Sequence, residues 1–171
     1  VWMTKQFDKN WMNVSANLPA AYITSVKASY QNTSTFYTSL SGHRGNDFNS
    51  YIYKSTNSGL SWSSIQGDLP ELPVYDLLVY PGKNDSVLFI GNHIGVYASV
   101  DAGNSWKRVG DNLPFIEVYD LEINESEKTL IAGTFGKSIV SFPLENIFKT
   151  IVSSQTPEIN GAISITPNPA S

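Results

Sequence analysis

Residues 11–19 read WMNVSANLP, residues 62–70 read WSSIQGDLP and residues 106–114 read WKRVGDNLP. Each stretch begins with tryptophan and ends in Leu-Pro, and successive copies start 51 and 44 residues apart. Similarity that recurs at such a spacing indicates one supersecondary unit stacked on copies of itself. The chain is therefore predicted to be a run of stacked repeats.

Between these copies, short apolar stretches alternate with turn residues, which is the pattern of antiparallel strands. Each repeat holds four such strands, named A to D, and its length is typical of a β-propeller blade. The predicted fold class is all-β, with blades of four antiparallel strands. The strands are predicted at residues 1–4, 11–14, 23–29, 35–40, 51–54, 61–65, 74–79, 87–91, 96–99, 106–109, 118–123, 129–133 and 138–142.

These strands make half a blade, two whole blades and a last blade without strand D. Such a set cannot close a ring of four to eight blades, so we expect the chain to be a fragment of a larger ring. Open ends would expose sheet faces, which the remaining blades of the parent protein or a partner chain would cover. The predicted domain bounds are 1–144 for the blades, 145–162 for a linker and 163–171 for a further segment.

The turn between strands C and D carries a motif. Residues 99–106, SVDAGNSW, match S-x-D-x-G-x-x-W throughout, and residues 55–62, STNSGLSW, differ in having Asn for Asp. An Asp or Asn side chain accepts backbone N–H groups across a tight turn, Gly supplies a positive φ and Trp covers the turn. The first copy has Asp8 where Gly is expected, which predicts a remodelled turn. Structural roles are predicted for Ser55, Asn57, Gly59, Trp62, Ser99, Asp101, Gly103 and Trp106.

Residues 1–144 resemble the Asp-box (BNR-repeat) β-propellers found in sialidases, xyloglucanase-type glycoside hydrolases and sortilin. The resemblance implies the fold, but the box occurs in enzymes and in binding proteins alike. A second resemblance lies at residues 163–171, ISITPNPAS, which look like the opening strand of a type IX secretion sorting domain. It implies a protein of a Gram-negative bacterium that the type IX secretion machinery exports to the medium or the outer cell surface.

Composition excludes several classes of function. The net charge is −4 and no Lys/Arg cluster occurs, so we expect neither nucleic acid nor an anionic membrane surface as a partner. No apolar stretch approaches the length of a membrane helix, so no direct membrane insertion is expected. Cysteine is absent and two histidines do not define a metal site, so no metal and no cofactor are predicted.

The ligand face is predicted where the B–C loops and the D–A connections meet, around the mouth of the central channel. The longest B–C loop, residues 41–49, offers His43, Arg44 and Asp47, and His93 occupies the corresponding loop one blade on. The third such loop adds Phe135 and Lys137. A carbohydrate site would also use exposed aromatic rings, for which the candidates are Tyr22, Phe48, Tyr51, Phe115 and Phe135.

Two hypotheses of function follow. The first is a non-catalytic exported propeller segment that binds a glycan or a protein. The second is the C-terminal part of an Asp-box glycoside hydrolase, in which Asp76 or Asp120, at matching places on consecutive innermost strands, contributes one of two carboxylates. A sialidase mechanism is excluded for this chain because it needs three arginines, and Arg44 and Arg108 are the only ones.

Overall fold

The computed structural model describes residues 1–4, 10–110 and 113–153. Alternating apolar and polar residues bounded by turns give short strands throughout. In chain order the elements are β1 Trp2–Met3, β2 Met12–Asn13, β3 Tyr22–Ala28, β4 Phe36–Ser41, a 3-10 turn His43–Gly45, β5 Tyr51–Ser55, β6 Ser63–Ser64, β7 Val74–Val79, β8 Leu88–Asn92, β9 Gly95–Ser99, β10 Lys107–Val109, β11 Val118–Asn124, β12 Thr129–Thr134, β13 Ser138–Pro143 and helix α1 Leu144–Ser153.

Each sheet is an antiparallel meander. The first sheet has the order β3-β4-β5-β6, the second β7-β8-β9-β10 and the third β11-β12-β13, while β1 pairs with β2 alone. These strands agree with the predicted ones to within about two residues, because turn residues bound them on both sides. The prediction of an all-β fold built of four-stranded antiparallel sheets is confirmed.

Two apolar cores lie between the faces of successive sheets. Between the first and second sheets, Tyr37 and Ile52 pack with Leu77 and Ile90, all fully buried. Between the second and third sheets, the fully buried set is Phe89, Val96, Ala98, Val118, Leu121, Leu130 and Ala132. Each sheet is thus covered by its neighbour, as in a stack of repeats.

Helix α1 completes the second of these cores. Its buried side chains Leu144, Ile147 and Ile151 follow a helical spacing and join the cluster between the second and third sheets. Phe148 also contacts Tyr80 edge to face, with ring centroids 5.5 Å apart. Most of this helix falls in the segment predicted as a linker, whose polar composition masked the short apolar stripe. The segment that resembles a sorting domain, residues 163–171, lies outside the described residues, as does most of the first motif turn, residues 5–9.

Tryptophan residues link the first sheet to the β1–β2 pair and the second sheet to the first. The Trp62 backbone N–H donates to Asn17 Oδ1 at 3.1 Å, and its indole N–H donates to the carbonyl of Val14 at 2.7 Å. Trp106 repeats this arrangement one sheet later, with Asp68 Oδ1 at 2.6 Å and the carbonyl of Ile65 at 3.2 Å. In both cases the residue that precedes Leu-Pro in one repeat is hydrogen-bonded to the tryptophan of the next repeat. This pair forms a joint between two sheets.

The two described motif turns share a hydrogen-bond pattern. Ser99 Oγ donates to Asp101 Oδ1 at 2.7 Å and accepts the N–H of Gly103 at 2.9 Å, while Asp101 Oδ1 accepts the N–H of Ser105 at 2.9 Å. In the other copy, Ser55, Asn57, Gly59 and Ser61 make the same three bonds. Gly103 has a φ of 92°, and a Cβ there would stand 2.8 Å from Ile65. These turns close the strand C to strand D connection at the end of the sheets opposite the B–C loops.

Candidate functional site at the loop face

Three β-bulges occupy the same place in successive innermost strands. The pairing register shifts between Ile23 and Ser25 in β3, between Val74 and Asp76 in β7, and between Val118 and Asp120 in β11. The skipped residues are Thr24, Tyr75 and Tyr119. A bulge re-aims the side chain of the extra residue, and all three line one cavity.

The tyrosines of two of these bulges stack on each other. The ring centroids of Tyr75 and Tyr119 lie 4.7 Å apart with an interplanar angle of 27°. Tyr119 keeps 49% of its surface exposed, and Tyr75 is partly buried. Such a pair presents a rigid aromatic surface with two hydroxyl groups at its rim.

A carboxylate and an imidazole join the two tyrosines. Glu117 Oε1 lies 2.9 Å from His93 Nδ1, and Glu117 Oε2 accepts a hydrogen bond from the Tyr119 hydroxyl. The Tyr75 hydroxyl lies 3.0 Å from the same His93 Nδ1. Because a carboxylate only accepts hydrogen bonds, His93 Nδ1 carries the hydrogen that is donated to Glu117. Both carboxylate oxygens of Glu117 are thereby engaged.

The tyrosine hydroxyls are hard to ionise. The hydrogen bond to Glu117, followed by burial and by the Glu117 charge, raises the pKa of Tyr119 to about 12. Burial, with the charge of Glu117, also raises the pKa of Tyr75 above its ordinary value. Both side chains are therefore neutral hydrogen-bonding groups at physiological pH.

The opposite wall comes from the first sheet. His43 and Arg44 lie in the 3-10 turn that follows β4, and both are exposed. The His43 ring lies 6.2 Å from that of His93, and the Arg44 guanidinium lies 5.2 Å from the centroid of the Tyr22 ring. The open cavity between the walls has a volume of about 440 Å³ and is lined by Tyr22, Thr24, Ser41, His43, Arg44, Tyr75, Glu117 and Tyr119. We call these residues, with His93, the loop-face cluster.

The structure brings together three of the predicted ligand residues, His43, Arg44 and His93. Asp47 is turned into its own loop, where Oδ2 accepts a hydrogen bond from Tyr51 Oη at 2.7 Å. That bond, with those from Asn49, lowers the pKa of Asp47 below its ordinary value. Phe135 and Lys137 are exposed on the third sheet and do not line the cavity; the backbone N–H of Phe135 donates to the carbonyl of Glu117 at 2.9 Å.

The two candidate catalytic carboxylates lie outside the cavity. Asp76 is buried, its Oδ2 accepts the backbone N–H of Leu121 at 2.9 Å, and its Oδ1 lies 3.9 Å from Lys27 Nζ. Asp76 therefore joins the second sheet to the third. Asp120 has the same place in the third sheet, where it is exposed. Neither side chain lines the cavity.

Sequence reasoning missed Tyr75, Glu117 and Tyr119. A signal was present, because residues 74–77 and 118–121 both read VYDL. In each copy the tyrosine precedes the aspartate that had been singled out. Only the bulge shows that the tyrosine, rather than the aspartate, lines the cavity.

Neither a metal site nor a membrane helix occurs in the part of the chain that the structure describes. No three His, Cys, Asp or Glu side chains there are grouped so that they could hold a metal ion. No helix there is long and apolar enough to cross a membrane.

Solved structures with this fold include two GH74 enzymes and a YCF48 protein. An ancestral GH74 enzyme is 23% identical over 67% of this chain, with a TM-score of 0.55. The GH74 xyloglucanase from Xanthomonas campestris is 12% identical over 71% of the chain, with a TM-score of 0.52. YCF48 from Cyanidioschyzon merolae is 12% identical over 85%, with a TM-score of 0.62.

The similarity at these identities is one of fold: the chain is a run of β-propeller blades. It spans 14% of the ancestral enzyme, 21% of the xyloglucanase and 44% of YCF48. No family model and no curated protein matches the sequence.

Proposed function

We propose that this chain is a segment of an exported β-propeller protein that binds a glycan at the loop-face cluster without cleaving it. The observation that carries the proposal is the stacked pair Tyr75 and Tyr119 beside the hydrogen-bonded Glu117 and His93. Sugar rings pack their C–H faces on aromatic side chains and offer hydroxyl groups to polar groups at the rim. The cluster supplies both kinds of contact in one open cavity.

The carboxylates argue against hydrolysis by this chain alone. Glycoside hydrolysis ordinarily uses two carboxyl groups that flank the scissile bond. Among the described residues that line the cavity, Glu117 is the single acid, and both of its oxygens are engaged. Asp76 is buried in the joint between two sheets.

A larger parent protein is part of this proposal. The S-x-D-x-G-x-x-W turns are Asp boxes in this interpretation, and residues 163–171 begin a sorting domain for type IX secretion. The chain spans less than half of each of the structures named above. The exposed face of the third sheet, which includes Asp120 and Ile139, would then be covered by a further blade of the parent or by a partner chain.

The second candidate is the C-terminal part of a glycoside hydrolase. It is favoured by the similarity in fold to GH74 enzymes, one of them a xyloglucanase. The other blades of such a parent would supply the missing carboxylate. Release of reducing sugar from xyloglucan by the full-length parent, abolished by Glu117→Gln, would support this candidate over binding alone.

The test of binding is titration calorimetry with a panel of β-linked oligosaccharides, including xyloglucan fragments. We expect Tyr119→Ala to weaken binding roughly tenfold, because it removes the exposed ring of the stacked pair. Tyr30→Ala is the matched control, since Tyr30 is also exposed but lies beyond the other end of β3. Equal binding by wild type and Tyr119→Ala would place the site elsewhere.

A further inference from the structure

We propose that the ligand of the loop-face cluster is an acidic glycan, whose carboxylate or sulfate group binds Arg44. This inference rests on the proposed function and names its class of ligand. The cavity is lined by one acid, Glu117, and one permanent cation, Arg44.

The acid of the cavity has its partners within the protein. Glu117 pairs with His93 through Oε1 and accepts the Tyr119 hydroxyl through Oε2. A carboxylate held in this way has little need of a cation from the ligand. The charged group that can bind a partner from the ligand is therefore Arg44, on the opposite wall.

Arg44 has no such partner in the described part of the chain. It takes part in none of the ion pairs there, which join Lys27 to Asp76, His93 to Glu117 and Lys149 to Glu145. Its guanidinium lies against the Tyr22 ring, 5.2 Å from the centroid. A guanidinium that packs on the face of an aromatic ring can still use the N–H groups at its own edge to bind an anion.

Asp47, the acid nearest to Arg44 in sequence, accepts hydrogen bonds from its own loop through both carboxylate oxygens. Its Oδ2 accepts the Tyr51 hydroxyl at 2.7 Å, and its Oδ1 accepts the N–H and the side-chain amide of Asn49 at 3.0 and 2.8 Å. A Cβ at Gly42 would stand 2.7 Å from Asp47 Cβ, so the loop is closed tightly around this side chain. Asp47 organises the loop and forms no ion pair with Arg44, although both residues line a neighbouring cavity.

The loop orders the backbone at Arg44 before any ligand binds. The N–H of Gly45 donates to the carbonyl of Gly42 at 2.7 Å, and that of Asn46 donates to the carbonyl of His43 at 3.0 Å. Asn46 adopts the left-handed conformation, with a φ of 60°. A cation carried by such a turn loses less conformational entropy when it binds than one on an unstructured loop.

The chemistry follows from these two walls. One wall offers the aromatic surface of Tyr119 for a sugar ring, and the other offers a guanidinium. A guanidinium binds a carboxylate or a sulfate ester through two parallel hydrogen bonds, which a neutral hydroxyl cannot replace. A glycan that carries an anionic group on its ring can contact both the Tyr119 ring and the Arg44 guanidinium, whereas a neutral glycan lacks the anion for the second contact.

The experiment compares three oligosaccharides with one backbone: cellohexaose, its C6-oxidised uronate form and its 6-O-sulfated form. Titration calorimetry on the wild type should give binding about tenfold tighter for at least one charged form than for cellohexaose. The tighter of the two charged forms identifies the anion. The preference should shrink as NaCl is raised from 50 to 500 mM.

Two variants separate the specific contact from general charge. Arg44→Gln should abolish the preference, so that the charged forms bind no more tightly than cellohexaose does to the same variant. Lys137→Gln removes one positive charge from the same face but outside the cavity, and it should keep the preference. Both side chains are exposed, and thermal melts monitored by circular dichroism verify that the variants fold.

The outcomes distinguish this inference from the proposed function. Equal binding of neutral and charged forms by the wild type, or a preference that survives in Arg44→Gln, overturns the acidic ligand while glycan binding stands. If none of the three oligosaccharides binds and the wider panel also fails, both proposals are wrong.

Discussion

The carboxylate of Asp68 accepts a hydrogen bond from the backbone N–H of Trp106, at 2.6 Å, across the boundary between two blades. One blade earlier, Asn17 accepts the N–H of Trp62 in the same way at 3.1 Å. Each bond joins the loop that ends one blade to the tryptophan that directly precedes the last strand of the next. The repeated tryptophans thus hold blades together, and their joints can be broken one at a time.

Removal of one joint should destabilise the chain without unfolding it. Asp68→Ala leaves the N–H of Trp106 without its acceptor, which should cost about 1–2 kcal/mol. Asn17→Ala should have a similar effect at Trp62. Urea unfolding followed by tryptophan fluorescence measures both, with Gln66→Ala as the control on the same connection. A midpoint in Asp68→Ala equal to that of the control would show that the bond contributes nothing.

The Asp101 turn should make the free energy of unfolding depend on pH in the acidic range. Although burial raises the pKa of Asp101, hydrogen bonds from Ser105 and Ser99 outweigh this effect and hold the pKa below its ordinary value of 3.8. A depressed folded-state pKa stabilises the fold above the unfolded pKa, and this stabilisation is lost as pH falls through the folded pKa. The free energy of unfolding should therefore drop below about pH 4.

The variant Asp101→Asn isolates this effect, because Asn57 shows that an amide fits the same turn. We expect it to fold at pH 7 and to lose less stability than the wild type between pH 5 and pH 3. Glu71→Gln, at an exposed position, serves as the control. Identical acid profiles for Asp101→Asn and wild type would contradict the prediction.

The pKa of Tyr119 should depend on its hydrogen bond to Glu117. The pKa of Tyr119 is raised to about 12, chiefly by the hydrogen bond to Glu117. In Glu117→Gln the negative charge is gone, so the pKa should fall towards the ordinary value of 10. Ultraviolet difference titration, with Tyr119→Phe identifying the signal of this tyrosine, measures the change. An unchanged pKa would mean that the two groups are not in contact.

Two glycines at matching places should differ in their tolerance of a methyl group. A Cβ at Gly91 would stand 2.7 Å from the carbonyl oxygen of Val118, because the next blade packs on it. At Gly133 the nearest atom is Asp120 Cβ at 3.4 Å. Gly91→Ala should cost about 1–3 kcal/mol, and Gly133→Ala should change stability by less than about 0.5 kcal/mol.

Thermal or urea unfolding of the 171-residue chain compares the two glycine variants. Equal losses would contradict the placement of Gly91 beneath the third sheet. In a longer parent, a further blade over the third sheet would make Gly133→Ala costly as well. The same variant thus tests whether that face is covered there.

The repeats could be predicted from the sequence because each strand is bounded by its own turn residues and marked by tryptophan and Leu-Pro. Helix α1 could not, since its stripe of Leu144, Ile147 and Ile151 is short and its core partners lie on other strands. At the site, His43, Arg44 and His93 could be assigned to the loop face from the sequence, because the B–C loops that carry them are recognisable between the strands. Tyr75 and Tyr119 could not be, because a one-residue bulge decides which of two neighbouring side chains, Tyr75 or Asp76, lines the cavity.

We propose that a glycan binds this chain at the loop face and not at the face of the motif turns. The most direct measurement is a ¹H–¹⁵N correlation spectrum of the labelled chain, titrated with cellohexaose and with its C6-oxidised form. We expect the shifts to concentrate at residues 41–45, 92–94 and 117–119, with residues 55–61 and 99–105 unmoved. Shifts confined to the motif turns, or none at saturating concentration, would contradict the account.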